Sequence, residues 1–223
     1  MAVVGQEKGE ECNMARNIKP SCKQCRRLGI KLCAKGQRGD GQKCALTRRN
    51  YPPGVHGPKG YGRMTDFGLH LQEKQKMKLL YGVLERQLRK VFSEAVKAKS
   101  NTSFKLIELL ERRLDNVIYR LGLANSRAQA RQFVNHGLFL INSKKITIPS
   151  YRVKVNDLIS IRKEKTKNKG ILADNLKNIS QQERPGWLNW QTENQTGQIV
   201  SLPESKDLEI GIDPRLIVEF YSK

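Results

Sequence analysis

Between residues 65 and 99, Phe67, Leu71, Leu80, Leu84, Leu88, Val91 and Phe92 recur mostly three and four positions apart, the period of a helix with one buried face. Gly82 interrupts that run and predicts two helices in place of one, with the apolar positions in the core. A second stripe, Leu106, Leu109, Leu110, Leu114, Val117, Ile118 and Leu121, predicts one further helix, capped by Ser103 and stopped by Gly122 in the left-handed conformation. Ser126 opens the next helix, with Gln129 three residues on to complete a capping box; Ala130, Phe133 and Val134 are its buried face and Gly137 its end. The period then shortens. Strands are expected over 138–141 and 145–148 around a turn at Asn142-Ser143, followed by 153–155 and 158–162, completing a small sheet. Near the end, Trp187, Leu188, Trp190, Ile199, Val200, Leu202, Leu216, Ile217, Val218 and Phe220 are expected as core that closes back on the helices.

This pattern implies a two-part α+β protein: a mainly helical domain with a compact helix–turn–helix–strand unit inserted into it. The divisions expected are 1–13 (a disordered extension), 14–64 (cysteine knuckle and basic strap), 65–103 (helices), 104–165 (the inserted unit) and 166–223 (a segment packing back on the helical domain). The chain of 223 residues is long enough for a real core, and its 38% apolar content is too high for a disordered basic tail.

Charge changes the picture. Lys and Arg number 42 against 21 Asp and Glu, a formal net charge of +21. By segment the balance is −2 over 1–13, +11 over 14–60, +5 over 61–103, +8 over 104–163 and −1 over 164–223. Clustering of this kind marks a face for a polyanion. A bilayer is disfavoured, because there is no long apolar run and no long amphipathic helix with a basic face opposite an aromatic one. The first thirteen residues hold Glu7, Glu10 and Glu11 and no apolar stretch of signal-peptide length, so secretion is not expected.

Four cysteines, Cys22, Cys25, Cys33 and Cys44, follow the spacing C-x2-C-x7-C-x10-C in a segment poor in large apolar residues. Two thiolates from one tight turn can bind one ion, and such a metal folds a segment that a core cannot. The expectation is a structural zinc on these four residues, with an iron–sulfur cluster as the alternative and no organic cofactor. Cys12, in the extension, is a bystander, and no His or carboxylate constellation suggests a catalytic metal. Beyond Cys44 the run Arg48-Arg49-Asn50-Tyr51-Pro52-Pro53-Gly54-Val55-His56-Gly57-Pro58-Lys59 reads as an extended, solvated strap. Its Arg48, Arg49 and Lys59, with Arg63, suit phosphates, and Tyr51 or His56 suits a base or sugar.

In the inserted unit, Arg127 and Arg131 lie four apart and are expected on one exposed helical stripe, joined on one side by Lys144, Lys145 and Arg152. That surface fits phosphates and ribose of a shaped RNA better than the major groove of DNA, because the second helix is short and offers few base-reading side chains at its start. Arg26, Arg27, Lys74, Lys76, Arg113 and His136 complete the candidate RNA-contacting set.

The run Leu114-Asp115-Asn116-Val117-Ile118-Tyr119-Arg120-Leu121-Gly122, then Ser126-Arg127-Ala128-Gln129-Ala130-Arg131-Gln132 and His136-Gly137, resembles the S-four RNA-binding domain. From Met14 onward the chain resembles the bacterial-type small-subunit ribosomal proteins of the S-four family. That likeness includes Tyr51-Pro52-Pro53-Gly54-Val55-His56-Gly57, Glu73-Lys74-Gln75-Lys76 and the closing Leu216-Ile217-Val218-Glu219-Phe220-Tyr221-Ser222-Lys223. The resemblance implies a cytoplasmic structural constituent of the small subunit, a primary 16S rRNA binder that nucleates assembly of the subunit body. It also implies ribosomal proteins S-five and S-twelve as neighbours, an influence on translational accuracy, and a position near the mRNA entrance path. In the family's metal-bearing members the third cysteine stands a few residues before the last; that place falls on Gly39 here, with Cys33 earlier in the loop. The same module serves pseudouridine synthases and tyrosyl-tRNA synthetases, and Arg113-Leu114-Asp115 echoes a triplet of the former. No P-loop, dinucleotide turn, paired-His motif or nucleophile setting accompanies it, so an enzyme or a stand-alone RNA chaperone is the alternative and a ribosomal role the expectation.

Overall fold

The computed structural model describes residues 20–32, 41–98, 100–162, 172, 175–176, 184–204 and 212–222. The 1–13 extension, Cys12, Cys33 and Gly39 lie outside the described residues. Helices α1 (Ser21–Leu28) and α2 (Ala45–Arg48) open the fold, and a single 3-10 turn, Gly57–Lys59, interrupts the strap. Gly57 is required there: a Cβ would sit 2.0 Å from the Pro52 carbonyl oxygen. Helices α3 (Asp66–Leu80) and α4 (Glu85–Lys97) follow, with the Thr65 hydroxyl accepting from the Gly68 N–H and Gly82 at φ 61 between them, as the apolar period predicts.

The next stripe is one helix in the sequence pattern and two in the structure. α5 spans Thr102–Glu111 and α6 spans Leu114–Arg120, and the cap of α5 is Asn101, whose side chain accepts from the Ser103 N–H. No glycine or proline makes the break. The Leu114 and Asp115 N–H groups donate to the carbonyls of Tyr151 (2.8 Å) and Pro149 (3.2 Å), and the Val153 N–H donates to the Arg112 carbonyl (3.0 Å). The 149–153 loop therefore supplies partners that satisfy a fresh helix start. For the same reason 153–155 is not a strand; its place is taken by an isolated bridge between Arg113 and Arg152. Helix α7 (Arg127–Asn135) begins at Ser126, whose hydroxyl accepts from the Gln129 N–H, while Gln129 accepts from the Asn125 N–H.

Strands β1 (Phe139–Ile141), β2 (Lys144–Lys145), β3 (Leu158–Ile161), β4 (Leu188–Gln191) and β5 (Thr196–Ile199) form one antiparallel sheet in the order β2-β1-β3-β5-β4. Asn142 and Ser143 both take positive φ in the β1–β2 turn. One core lies between this sheet and α6–α7, with Leu121, Phe139, Ile159, Trp187 and Trp190 among its members. Gly197 admits Leu121, whose Cδ1 would be 2.9 Å from an added Cβ. The second core joins α3, α4 and α5 with Ile217 of α8 (Pro214–Ser222).

The C-terminal segment is thus divided between the two cores. Trp187, Leu188, Trp190 and Ile199 extend the sheet and its core, and only α8 returns to the helices, where Leu216 and Val218 are half-buried. Val200 and Leu202 are exposed, contrary to their expected burial, and so is Phe67, whose ring lies 5.6 Å from Phe220. Among the described residues no helix is long and apolar enough to cross a membrane.

Candidate nucleic-acid interface

The candidate cations separate into two groups. One group is consumed inside the protein. Arg127, expected on an exposed stripe, is 9% exposed, donates from Nε to Asn116 Oδ1 at 2.7 Å, and lies between the Tyr81 and Tyr119 rings, 5.0 and 4.5 Å from their centroids. Arg131 also points inward. Its Nη1 donates to the Gly82 carbonyl (2.8 Å), and its Nη2 and Nε donate to Asp115 Oδ2 (2.6 and 3.0 Å). Arg113 grips the same buried carboxylate in a fork, 3.1 and 3.0 Å from its two oxygens. Spacing four apart correctly puts Arg127 and Arg131 on one stripe of α7, but that stripe faces the α3–α4 turn and α6.

The reason is the set of acceptors waiting there. Glu111, fully buried, accepts from the Tyr81 hydroxyl (2.6 Å), Asn116 Nδ2 (2.6 Å) and Arg120 Nη2 (2.9 Å). Burial alone would push its carboxyl up; the charges of Arg120 and Arg127 and the hydrogen bonds from Arg120 and Tyr81 outweigh that and hold it below its ordinary value. Burial, then the Glu111 charge, raises the Tyr81 phenol, which therefore stays a donor. Tyr81, Glu111, Asp115 and Asn116 were not singled out in the sequence as partners for these arginines. Polar residues recurring inside an apolar stripe are the only signal that pointed to them.

Four further candidates are also occupied. Lys74 is buried, 3.0 Å from Glu85 Oε1 and 4.3 Å from the centroid of the Phe220 ring. Lys76 pairs with Glu73 at 2.5 Å, and Arg152 pairs with Glu94. Arg26 holds the strap: Nε and Nη2 donate to the carbonyls of Tyr51 (3.0 Å) and Pro52 (3.1 Å), and the guanidinium lies 4.7 Å over the Tyr51 ring. One face of Tyr51 is therefore covered by its own chain.

The other group is exposed: Arg27, Arg48, Arg49, Lys59 and Arg63 in the N-terminal region, and His136, Lys144 and Lys145 at the end of α7 and in the β1–β2 hairpin. Lys23 and Lys43, near the first of these clusters in the chain, are exposed as well.

Cys22 and Cys25 lie one turn apart on α1, where a tight turn was expected, and Cys44 precedes α2. Burial raises the Cys25 thiol, with smaller upward contributions from Cys22 and Cys44. Backbone hydrogen bonds at Thr47 and Leu46 lower the Cys44 thiol, and Lys31 adds to the effect. Among the described residues no three His, Cys, Asp or Glu side chains are arranged as a ligand set. Thiols suit a soft or borderline cation by donor chemistry.

Residues 16–111 match the family model for the ribosomal protein S4/S9 N-terminal domain, and residues 112–159 match the S4 domain. The chain is 47% identical to small ribosomal subunit protein uS4 of Acetivibrio thermocellus over 210 residues, covering 94% of this chain and all of that protein. Over the same span it is 48% identical to the uS4 of Trichlorobacter lovleyi and 44% identical to that of Thermus thermophilus.

Proposed function

The chain belongs to the family of small ribosomal subunit protein uS4, and from that premise we propose that its seven exposed candidate lysines and arginines, with His136, are the surface that holds rRNA. The protein is a structural constituent of the small ribosomal subunit and binds its rRNA. It belongs to a class of proteins that build the particle and catalyse no reaction. The observation that carries the assignment of the surface is the division of the cations. Those spent on Asp115, Glu111, Glu85 and Glu94 fix the fold, and Arg48, Arg49, Lys59, Arg63, Lys144 and Lys145 remain at the surface. Guanidinium and ammonium groups displayed in this way neutralise phosphates and release counterions.

Within the same reading, the chain binds early at a folded rRNA junction and nucleates the subunit body. Proteins S-five and S-twelve are its neighbours, it contributes to translational accuracy, and mRNA passes near it. A structural zinc belongs to the reading too, held by Cys22, Cys25 and Cys44 with Cys33 as the fourth thiolate. The donor chemistry of the three described thiols supports it. Bound there, the ion would tie α1 to α2 in a segment with little apolar core.

Filter binding of the full chain to small-subunit rRNA across a salt series tests the surface. Arg48→Gln with Arg49→Gln should weaken binding and reduce the slope of log K against log salt by roughly 0.7–0.9 per lost phosphate contact. Unchanged affinity and slope would remove the N-terminal region from the interface.

A further inference from the structure

The antiparallel register sets one row of side chains across the outer face of the sheet: Lys145 on β2, Leu140 on β1, Ser160 on β3, Thr196 on β5 and Gln191 on β4. The neighbouring positions on the other face, Ile141, Ile159, Gly197 and Trp190, are buried. On the outer face is an open concavity of about 580 Å3, within the ~300–1,000 Å3 range of small-ligand sites. Ser143 and Lys145 stand on the β2 side and Asn194 and Gln195, from the β4–β5 turn, on the other; Leu140 and Ser160 are on the strands between, and Arg162 follows the end of β3.

The lining chemistry is one-sided. Two cations, two hydroxyls and two carboxamides surround half-buried Leu140 and buried Ile161, and no carboxylate is among them. Phosphate recognition needs that set: charge to neutralise it and neutral donors to orient it. A duplex presents its backbone as a ridge and suits a shallow track, whereas a concavity with an apolar patch and amides suits an unstacked nucleotide. Ribose or base carbons can then cover Leu140 while hydroxyls and carboxamides meet the polar edges. Outward aromatic rings, the usual stacking platform for continuous single strands, are missing from this row, which favours one nucleotide over a longer run.

We propose that this outer-sheet concavity binds a single splayed-out nucleotide of rRNA, its phosphate against Lys145 and Arg162. The inference rests on the rRNA-binding reading above and adds a second contact, on the sheet, formed in part by Arg162, Ser160, Asn194 and Gln195.

Two full-length variants and a control test it on small-subunit rRNA over a salt series. Ser160→Trp fills the concavity and keeps both cations; an outward strand position accepts an aromatic ring. Lys145→Gln removes one exposed charge. Ser160→Trp should lower affinity about tenfold, and Lys145→Gln should lower it severalfold and reduce the salt slope by roughly 0.7–0.9. Arg48→Gln with Arg49→Gln is the control for the reading itself. If the control weakens binding and Ser160→Trp does not, the concavity is empty of RNA and the inference falls while the reading stands. If none of the variants changes binding, the reading falls as well. A photo-crosslinker at Asn194 gives a readout that does not depend on how well the tryptophan variant folds. In assembled subunits it should join to rRNA, and an adduct with a protein would overturn the proposal in favour of a protein-facing sheet.

Discussion

Replacing Arg131 with methionine keeps most of the side chain's volume and removes its guanidinium. The structure predicts that the loss falls on stability. Arg131 bonds the Gly82 carbonyl and, twice, Asp115 Oδ2, all within 3.0 Å, and reaches the Tyr81 carbonyl at 3.4 Å. Breaking a buried pair outright costs about 3–5 kcal/mol, and hydrogen bonds to charged groups contribute about 1.5–3 kcal/mol. Asp115 keeps its fork from Arg113, and the Arg131 side chain is 20% exposed, so the lower part of that range applies: about 2–3 kcal/mol. At roughly 2–4 °C per kcal/mol for a chain of this size, the melting midpoint should drop by about 5–10 °C. Circular dichroism melts measure the midpoint, and rRNA binding at a temperature where both proteins are folded measures the salt slope, which should not change. A midpoint within about 1 °C of the parent, together with a slope smaller by roughly 0.7–0.9, would mean that Arg131 grips phosphate and that the inward assignment is wrong.

Other consequences are open to direct measurement. Glu111 is held below its ordinary pKa of 4.5, so it contributes stability that is complete above that value and is lost as pH falls through its folded-state pKa. The stability gap between parent and Glu111→Gln, from urea midpoints, should therefore be wide at pH 7 and should narrow as pH is lowered beneath 4.5; a constant gap would contradict the network. Gly197→Ala should destabilise by about 1–3 kcal/mol, because the methyl would meet Leu121 Cδ1 at 2.9 Å, and a neutral result in chemical denaturation would show that Leu121 yields. Elemental analysis of protein purified without chelator should find about one zinc per chain, lost in Cys22→Ser with Cys25→Ser; under roughly a tenth of an equivalent would end the metal proposal.

The chain's own pattern determined much of this protein. Local rules placed the break at Gly82, the starts of α3 and α7 and the β1–β2 turn, because a cap or a left-handed glycine acts within a few residues and needs no partner from afar. The motifs around Leu114–Arg120 and Ser126–Gln132 also carried the family, and the uneven charge carried the kind of partner. Three matters were decided only by tertiary structure. The stripe from Leu106 to Leu121 breaks at Arg112–Arg113 because the distant carbonyls of Pro149 and Tyr151 satisfy the next helix start. The β4–β5 hairpin joins the sheet of the inserted unit, since any strand edge offers the same backbone groups and side-chain pattern does not say which edge is open. Last, whether an arginine faces RNA or its own core depends on distant acceptors such as Glu111 and Asp115. Helical period gives the side of a helix, and only the packed fold says what stands opposite it.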